Sequence, residues 1–281
     1  MNKVWIITGC STGFGRELAK LTLKQGYKVG VASRNTDDVK DIVEAYPETA
    51  LAVKLDVTKL DEIKSAVEQV KQKFGRVDVL VNNAGIGYFG AVEESEDDEV
   101  RRMFEINYFG LANMTKEVLP IMRSQRSGHI INIASIGGLV GFPALGHYNA
   151  TKFAVDGLSE ALAKETAPLG IKVTVIAPSG FRTDWAGRSA KNSAIVIDDY
   201  AQTAEVNKNT IRGYSGNQPG DPVRAAQAII KVTEVENPPL HLLLGVGAFK
   251  GALAKLDSLK KDYDAWEETT IGADAPASQT A

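Results

Sequence analysis

The chain has 281 residues, 44% hydrophobic and 24% charged, the make-up of an ordinary globular protein. A net charge of −3 without a basic stripe argues against a nucleic-acid or anionic-membrane partner. The single cysteine, Cys10, excludes an internal disulfide; the opening MNKVWIITGC is too glycine-interrupted for a signal peptide, and no apolar run reaches the roughly 18 residues of a membrane span, so the expected setting is the cytoplasm.

Short apolar runs alternate with longer helical patterns. The run VWIIT (4–8) reads as a strand and 14–25 as a helix; KVGVAS (28–33) is a second strand, followed by a short polar helix over 37–45. ALAVKLD (50–56) is a third strand and 60–74 an amphipathic helix; VDVLVNNAG (77–85) is a strand running into a turn, and a long helix covers roughly 96–123. The acidic run EESEDDE (93–99) stands where that helix opens, and negative charge there complements the helix dipole. GHIINIAS (128–135), a helix near 148–167 and IKVTVIAPSG (171–180) continue the alternation.

Strands that are nearly continuous Val/Ile/Leu runs are buried on both faces, which means a parallel sheet. Strict β-α alternation then predicts a single α/β domain over 1–269 with a doubly wound parallel sheet, the Rossmann arrangement. Beyond residue 180 the pattern loosens. The polar stretch 184–221 reads as an irregular insert and a candidate substrate lid. A helix near 222–235, a strand over 240–245 and a helix near 249–264 close the fold, and 270–281 reads as a disordered tail.

Between the first strand and first helix lies TGCSTGFG, with Gly9, Gly13 and Gly15. Ligands of open α/β sheets sit beyond the carboxyl ends of the strands, where a helix N-terminus offers free N–H groups and glycine lets a pyrophosphate approach the backbone. The spacing is G-x-x-x-G-x-G rather than the G-x-G-x-x-G of the common dinucleotide fingerprint. The loop residues Gly9, Ser11, Thr12, Gly13, Phe14 and Gly15 are the expected contacts, and Cys10 reads as a small residue in a tight turn. The second strand ends in Ser33 and Arg34, where NAD-binding proteins carry an acid. A carboxylate would repel a 2′-phosphate and a guanidinium can chelate it, so NADP is expected over NAD.

In HYNATK (147–152), Tyr148 precedes Lys152 by one helical turn. Alone this is a phenol over a lysine stem, or a phenol tuned by a cation to exchange a proton. Together with the glycine turn and the NNAG after the fourth strand, the pair resembles the short-chain dehydrogenase/reductase family over nearly all of 3–245, and SIGGLVGFPALGHYNATK (135–152) is similar to its steroid-dehydrogenase branch.

That resemblance implies a set of roles. Tyr148 is the acid/base and Lys152 holds the nicotinamide ribose and lowers the phenol's pKa. Ser135 orients the substrate carbonyl, and Asn107 supports a proton-relay water. Asn83, Ala84 and Gly85 lie under the adenosine ribose, and Asp56 with Val57 meets the adenine. Pro178, Phe181 and Thr183 flank the cofactor; the family's Pro-Gly after the sixth strand reads Pro178-Ser179 here. Ile136, Phe142, Leu145 and Trp185 are expected to line an apolar substrate pocket, with Val140 beside them. His147 is read as solvated, His129 and His241 as structural, and no grouping has metal-ligand spacing, so no catalytic metal is expected. The implied activity is NADP-dependent hydride transfer to a carbonyl or from a secondary alcohol. The alternatives are a nucleotide-sugar epimerase, which the glycine spacing and short C-terminal part oppose, and a non-catalytic NADP sensor, which would not need the full Asn107, Ser135, Tyr148 and Lys152 set. The family pairs through its long helices, which implies a homodimer or homotetramer.

Overall fold

The Val- and Ile-rich runs become the strands of one parallel sheet. The computed structural model describes residues 2–275. Its strands are β1 (Val4–Ile7), β2 (Lys28–Ser33), β3 (Ala50–Lys54), β4 (Val79–Asn82), β6 (Gly128–Ile133), β7 (Ile171–Pro178) and β9 (His241–Leu244), in the order β3-β2-β1-β4-β6-β7-β9. Every neighbouring pair is parallel. Residues 4–7 and 79–82 are buried throughout, because helices cover both faces. One apolar cluster on one side holds Trp5, Ile7, Leu18 and Ile229, and the other holds Ile6, Ile63, Leu80 and Met114.

The helices follow local rules. In α3 (Leu60–Phe74), Ile63, Ala66, Val67 and Val70 form the buried stripe, and Gly75 ends the helix at φ 83°, a left-handed conformation that glycine adopts without a Cβ clash. Helix α8 (Pro222–Glu234) starts with Pro222 after Asp221, whose carboxylate accepts from the N–H groups of Val223 and Arg224. The remaining helices are α1 (Gly13–Lys24), α2 (Lys40–Ala45), α4 (Asp97–Phe104), α5 (Leu111–Gln125), α6 (Gly146–Thr166), α7 (Val206–Gly213), α9 (Val246–Ala265) and α10 (Glu267–Ile271).

Three departures from the sequence reading carry information. The long helix is interrupted by a π-helical turn over Glu105–Gly110, so it is α4, a π turn and α5 in one rod. The stretch 184–221 is not irregular. It holds a 3₁₀ turn at Asp184–Ala186, strand β8 (Ala190–Asn192) paired in parallel with β5 (Gly87–Phe89), and α7. It is also tied down: Glu94 accepts from the N–H of Ala91 at 2.8 Å and of Ile197 at 2.9 Å, and Asn207 donates to the Pro143 carbonyl at 2.7 Å. Helix structure continues to Ile271, past the start of the expected tail, whose residues 276–281 lie outside the described ones.

His129 is structural, as read. It is buried on β6, within 2.9 Å of the Thr174 hydroxyl on β7, and burial pushes its pKa down to about 3. The unfolded chain takes up a proton near pH 6.5 that the folded chain refuses, so stability falls as pH drops through the window from about 6.5 to about 3. Urea unfolding at pH 6.5 and pH 5 should show about 2 kcal/mol more loss for the wild type than for His129→Gln. Equal slopes for the two proteins would exclude His129 as the source.

Candidate active site

The strand order reverses beside β1, so the turns after β1 and β4 meet at the carboxyl edge of the sheet. Thr8 joins them. Its buried hydroxyl accepts from the backbone N–H of Asn83 and of Ala84, both at 2.9 Å. The Asn83 amide donates to the carbonyls of Thr8 at 2.8 Å and Gly9 at 3.1 Å. Asn83 is thus a brace for the glycine turn through its side chain.

Two of the glycines are required by geometry. Gly9 has φ 71°, and a Cβ there would lie 3.0 Å from Ala84 Cα; a Cβ on Gly15 would lie 2.5 Å from the Gly9 carbonyl oxygen. Among the described residues no side chain caps α1 at Thr12, so the first-turn N–H groups of α1 stand at the mouth of this cradle. Cys10 is buried, and burial pushes its thiol up to about 12, which removes it from redox or nucleophilic chemistry. Phe14 meets Phe181 edge-on at 5.0 Å and links the turn to the segment after β7, while Thr183 lies beside Gly13.

Ser33 is buried and Arg34 exposed at the end of β2. Among the described residues Arg34 has no ion-pair partner, whereas Arg16 is bound to the Asp38 carbonyl and Asp41. Burial opposes the charge of Asp56, but two bonds from Thr58 and the charges of Lys59 and Arg34 hold its carboxyl below the usual range. Val57 turns its side chain under the π turn, where a Cβ on Gly110 would come within 2.7 Å of it.

The π turn presents Asn107 inward. Its Oδ1 accepts from the Ile86 N–H at 2.8 Å, and its Nδ2 donates to the Ile86 carbonyl at 3.0 Å and the Thr151 hydroxyl at 3.1 Å. Thr151 donates in turn to the Tyr148 carbonyl at 2.7 Å. Tyr148 and Lys152 share the buried face of α6, with Lys152 Nζ 5.7 Å from the phenol ring centre. Lys152 donates to the Ile133 carbonyl at 2.9 Å, and a Cβ on Gly85 would lie 3.7 Å from its Nζ. Ser135 caps the turn after β6 by accepting from Gly137 N–H at 3.0 Å, and its hydroxyl favours the ionised form of Tyr148.

In the protein without cofactor, burial pushes Tyr148 up to about 12, and Ser135 pulls it only part of the way back. Burial also pushes Lys152 down to about 8. Both shifts have the same cause, the cost of charge in a dry site.

Trp185, from the 3₁₀ turn after β7, packs its ring 4.9 Å from Tyr148 and 5.8 Å from Phe89. Leu145, Phe142 and Trp185 belong to the apolar cluster around Tyr148. Ile136 does not; it packs beneath α9 against Ala248, Gly251 and Ala252, with Val140 nearby, so its place in the expected pocket is corrected.

The match to known proteins follows from these features. The short chain dehydrogenase family model matches residues 3–194. The chain belongs to the short-chain dehydrogenase/reductase family.

Oxidoreductase BOA17 of Botryotinia fuckeliana is 37% identical to this dehydrogenase over 97% of this chain and 100% of its own. The 3-ketodihydrosphingosine reductase of Bacteroides thetaiotaomicron is 39% identical over 86% and 88%. A short-chain dehydrogenase of Streptomyces avermitilis superposes with a TM-score of 0.92 at 41% identity, covering 98% of this chain and 100% of that one. Two further structures hold nicotinamide dinucleotides. ElxO with NADP bound has a TM-score of 0.73 at 30% identity over 89% and 100%. The 3-ketoacyl-(acyl-carrier-protein) reductase of Brucella melitensis, complexed with NADH, has 0.71 at 30% over 86% and 97%.

In this dehydrogenase the Pro178-Ser179 departure is absorbed locally. Ser179 turns its hydroxyl to the Leu244 carbonyl at 3.4 Å, toward the end of β9, where Gly245 at φ 91° has no side chain to oppose it. Sequence reasoning missed Thr8 and Thr151 as site braces, although both adjoin the motifs that flagged the site. It also missed a grouping: His241 Nε2 lies 3.0 Å from Asp156 Oδ1 and 3.8 Å from Glu160 Oε1. Nothing local in the sequence couples β9 to α6, so this cluster at the sheet edge is a tertiary product. His147 is half-buried in the first turn of α6.

Proposed function

We propose that this dehydrogenase is an NADP-dependent oxidoreductase that reduces a ketone, or oxidises the matching secondary alcohol, with Tyr148 as the acid/base group. The observation that carries the reading is the buried Tyr148 phenol, with Lys152 Nζ 5.7 Å from its ring and Ser135 favouring its ionised form. The cradle fits a dinucleotide, because glycine at 9 and 15 lets the turn fold tightly on itself and on Ala84, and among the described residues no side chain caps the first-turn N–H groups of α1 that would face a pyrophosphate. Bound there, the nicotinamide supplies or accepts the hydride. Near neutral pH Tyr148 keeps its proton, so it stands ready to give one to an oxygen that gains negative charge. Ser135 holds that oxygen by a neutral hydrogen bond. Lys152 keeps a positive charge within reach of the phenol, and Asn107 fixes the loop at Ile86 while Thr151 ties it to the Tyr148 backbone.

Arg34, exposed and without an ion partner among the described residues, supports NADP over NAD. The apolar flank of Leu145, Phe142 and Trp185 supports a ketone with an apolar substituent, and two of the proteins compared carry a ketone in their substrate names. The segment 184–221 covers this flank as the substrate-side wall. The exposed Phe109 and Phe153, on the π turn and α6, support pairing through the long helices. A single buried cysteine, and no helix among the described residues long and apolar enough to cross a membrane, support a cytoplasmic setting.

The test is a coupled assay in which NADPH or NADH is consumed with small ketones, acyl thioesters and steroid ketones. Turnover of at least one apolar ketone with NADPH, at a higher kcat/KM than with NADH, is expected. Tight NADPH binding without turnover across the panel would favour a sensor instead.

A further inference from the structure

Helix α6 carries Tyr148 and Lys152 near its start, and further along it meets the edge strand of the sheet. Asp156 and Glu160 stand one turn apart, so both carboxylates leave the same face of the helix. His241, the first residue of β9, reaches that face from the sheet edge. Its Nε2 lies 3.0 Å from Asp156 Oδ1 and 3.8 Å from Glu160 Oε1, and one ligand atom from each of the three side chains falls within 4.8 Å of the other two. Among the described residues, His241 is the one basic side chain within ion-pair distance of either carboxylate. Two acids and an imidazole from separate elements thus converge where no lysine or arginine neutralises them.

These are the dimensions of a metal site. Zinc binds imidazole nitrogen and carboxylate oxygen at about 2.0–2.2 Å, so in a tetrahedral site neighbouring ligand atoms stand about 3.3–3.6 Å apart. The two separations from His241 Nε2 straddle that value, and the exposed Glu160 is free to close the wider one. The donor set also selects the ion. An imidazole with two carboxylates disfavours calcium and magnesium, which take oxygen ligands, and suits a divalent transition ion. Three protein ligands, one of them open to solvent, leave a fourth position for water. The frame is rigid. Both acids lie within a 21-residue helix, and β9 is fixed by its register, with His241 opposite Val175, and by the Thr174 hydroxyl donating to the Pro239 carbonyl at 2.9 Å. With the ion bound, the neutral imidazole carries its proton on Nδ1 and gives the Nε2 lone pair to the metal.

We propose that Asp156, Glu160 and His241 form a zinc site that staples the edge strand β9 to α6, with water as the fourth ligand. Asp156 lies two turns beyond Tyr148, about 12 Å along the helix axis, so the ion is structural and takes no part in hydride or proton transfer. The proposal does not depend on the reaction assigned to the active site.

The test uses the full chain, stripped of metal with a chelator and titrated calorimetrically with zinc chloride. Uptake of one zinc per chain at micromolar affinity or tighter is expected, with no uptake of magnesium. Cobalt(II) in place of zinc should give the strong visible absorption of a tetrahedral site. Cys10 is buried and does not compete for the metal. Free zinc at about a hundredfold excess over its Kd should raise the melting temperature by about 5 °C. Glu160→Gln separates a zinc site from a histidine–aspartate bond that only ties two elements together. It leaves the 3.0 Å bond between His241 and Asp156 in place and should keep the metal-free melting temperature, yet it should weaken zinc binding at least about tenfold. His241→Ala should abolish uptake. A wild type that takes up no zinc at micromolar concentration, or equal zinc affinity in the wild type and Glu160→Gln, overturns the proposal.

Discussion

Replacing Tyr148 with Phe should lower ketone reduction about 10²- to 10⁴-fold, the range set by loss of a positioned general acid. The change removes only the hydroxyl. The ring keeps its contact with Trp185 at 4.9 Å and its place beside Lys152, so the pocket wall and the fold stay as they are. Ser135 still bonds Gly137 N–H and cannot take over, since a serine hydroxyl at the end of β6 gives up its proton far less readily than a phenol. NADPH affinity, read by quenching of protein fluorescence or by calorimetry, should change less than threefold. Turnover near the wild-type rate would defeat the acid/base assignment, and loss of NADPH binding together with turnover would mean that the ring serves mainly to shape the cofactor site.

The second large effect concerns the choice of cofactor. Arg34→Asp should reduce kcat/KM with NADPH by about 10- to 100-fold, because charge-assisted hydrogen bonds of roughly 1.5–3 kcal/mol are removed and a like charge is put in their place. The value with NADH should hold or rise. Arg34 is exposed at the end of β2, so the fold does not depend on it, and a stability loss is not expected to confuse the result. Arg16, although near in the chain fold, is held by Asp41 and the Asp38 carbonyl and does not substitute. An unchanged ratio between the two cofactors would remove Arg34 from the specificity account.

Much of this molecule was legible in the chain. The buried strands were visible because a parallel sheet covered on both faces needs nearly continuous Val and Ile runs, and β4 and β7 are such runs. The glycine turn was visible because its position between β1 and α1 leaves few other uses for three closely spaced glycines. Tyr148 and Lys152 were visible because one helical turn sets their common face before any tertiary contact forms.

Other features had no local signal. The π turn that aims Asn107 into the site depends on Gly110 lying against Val57, a contact between segments far apart in sequence. Ile136 was assigned to the pocket by its nearness to Ser135, yet the 3₁₀ turn after β6 rotates it beneath α9. The stretch 184–221 looked irregular because its strand is three residues long and finds its partner only at Gly87–Phe89, a pairing that exists once both segments are folded. The burial of Tyr148 had no local signal either: a sequence shows which charge lies one turn away, but not how dry the space between becomes.

Hydrophobic period and backbone chemistry act over a few residues, so the chain alone determined the alternation of strands and helices, the cradle at Gly9–Gly15 and the pairing of Tyr148 with Lys152. Burial, the π turn at Asn107 and the ordered segment around Trp185 were decided by tertiary structure. They depend on which surfaces exclude water, and that is a property of the whole packed molecule.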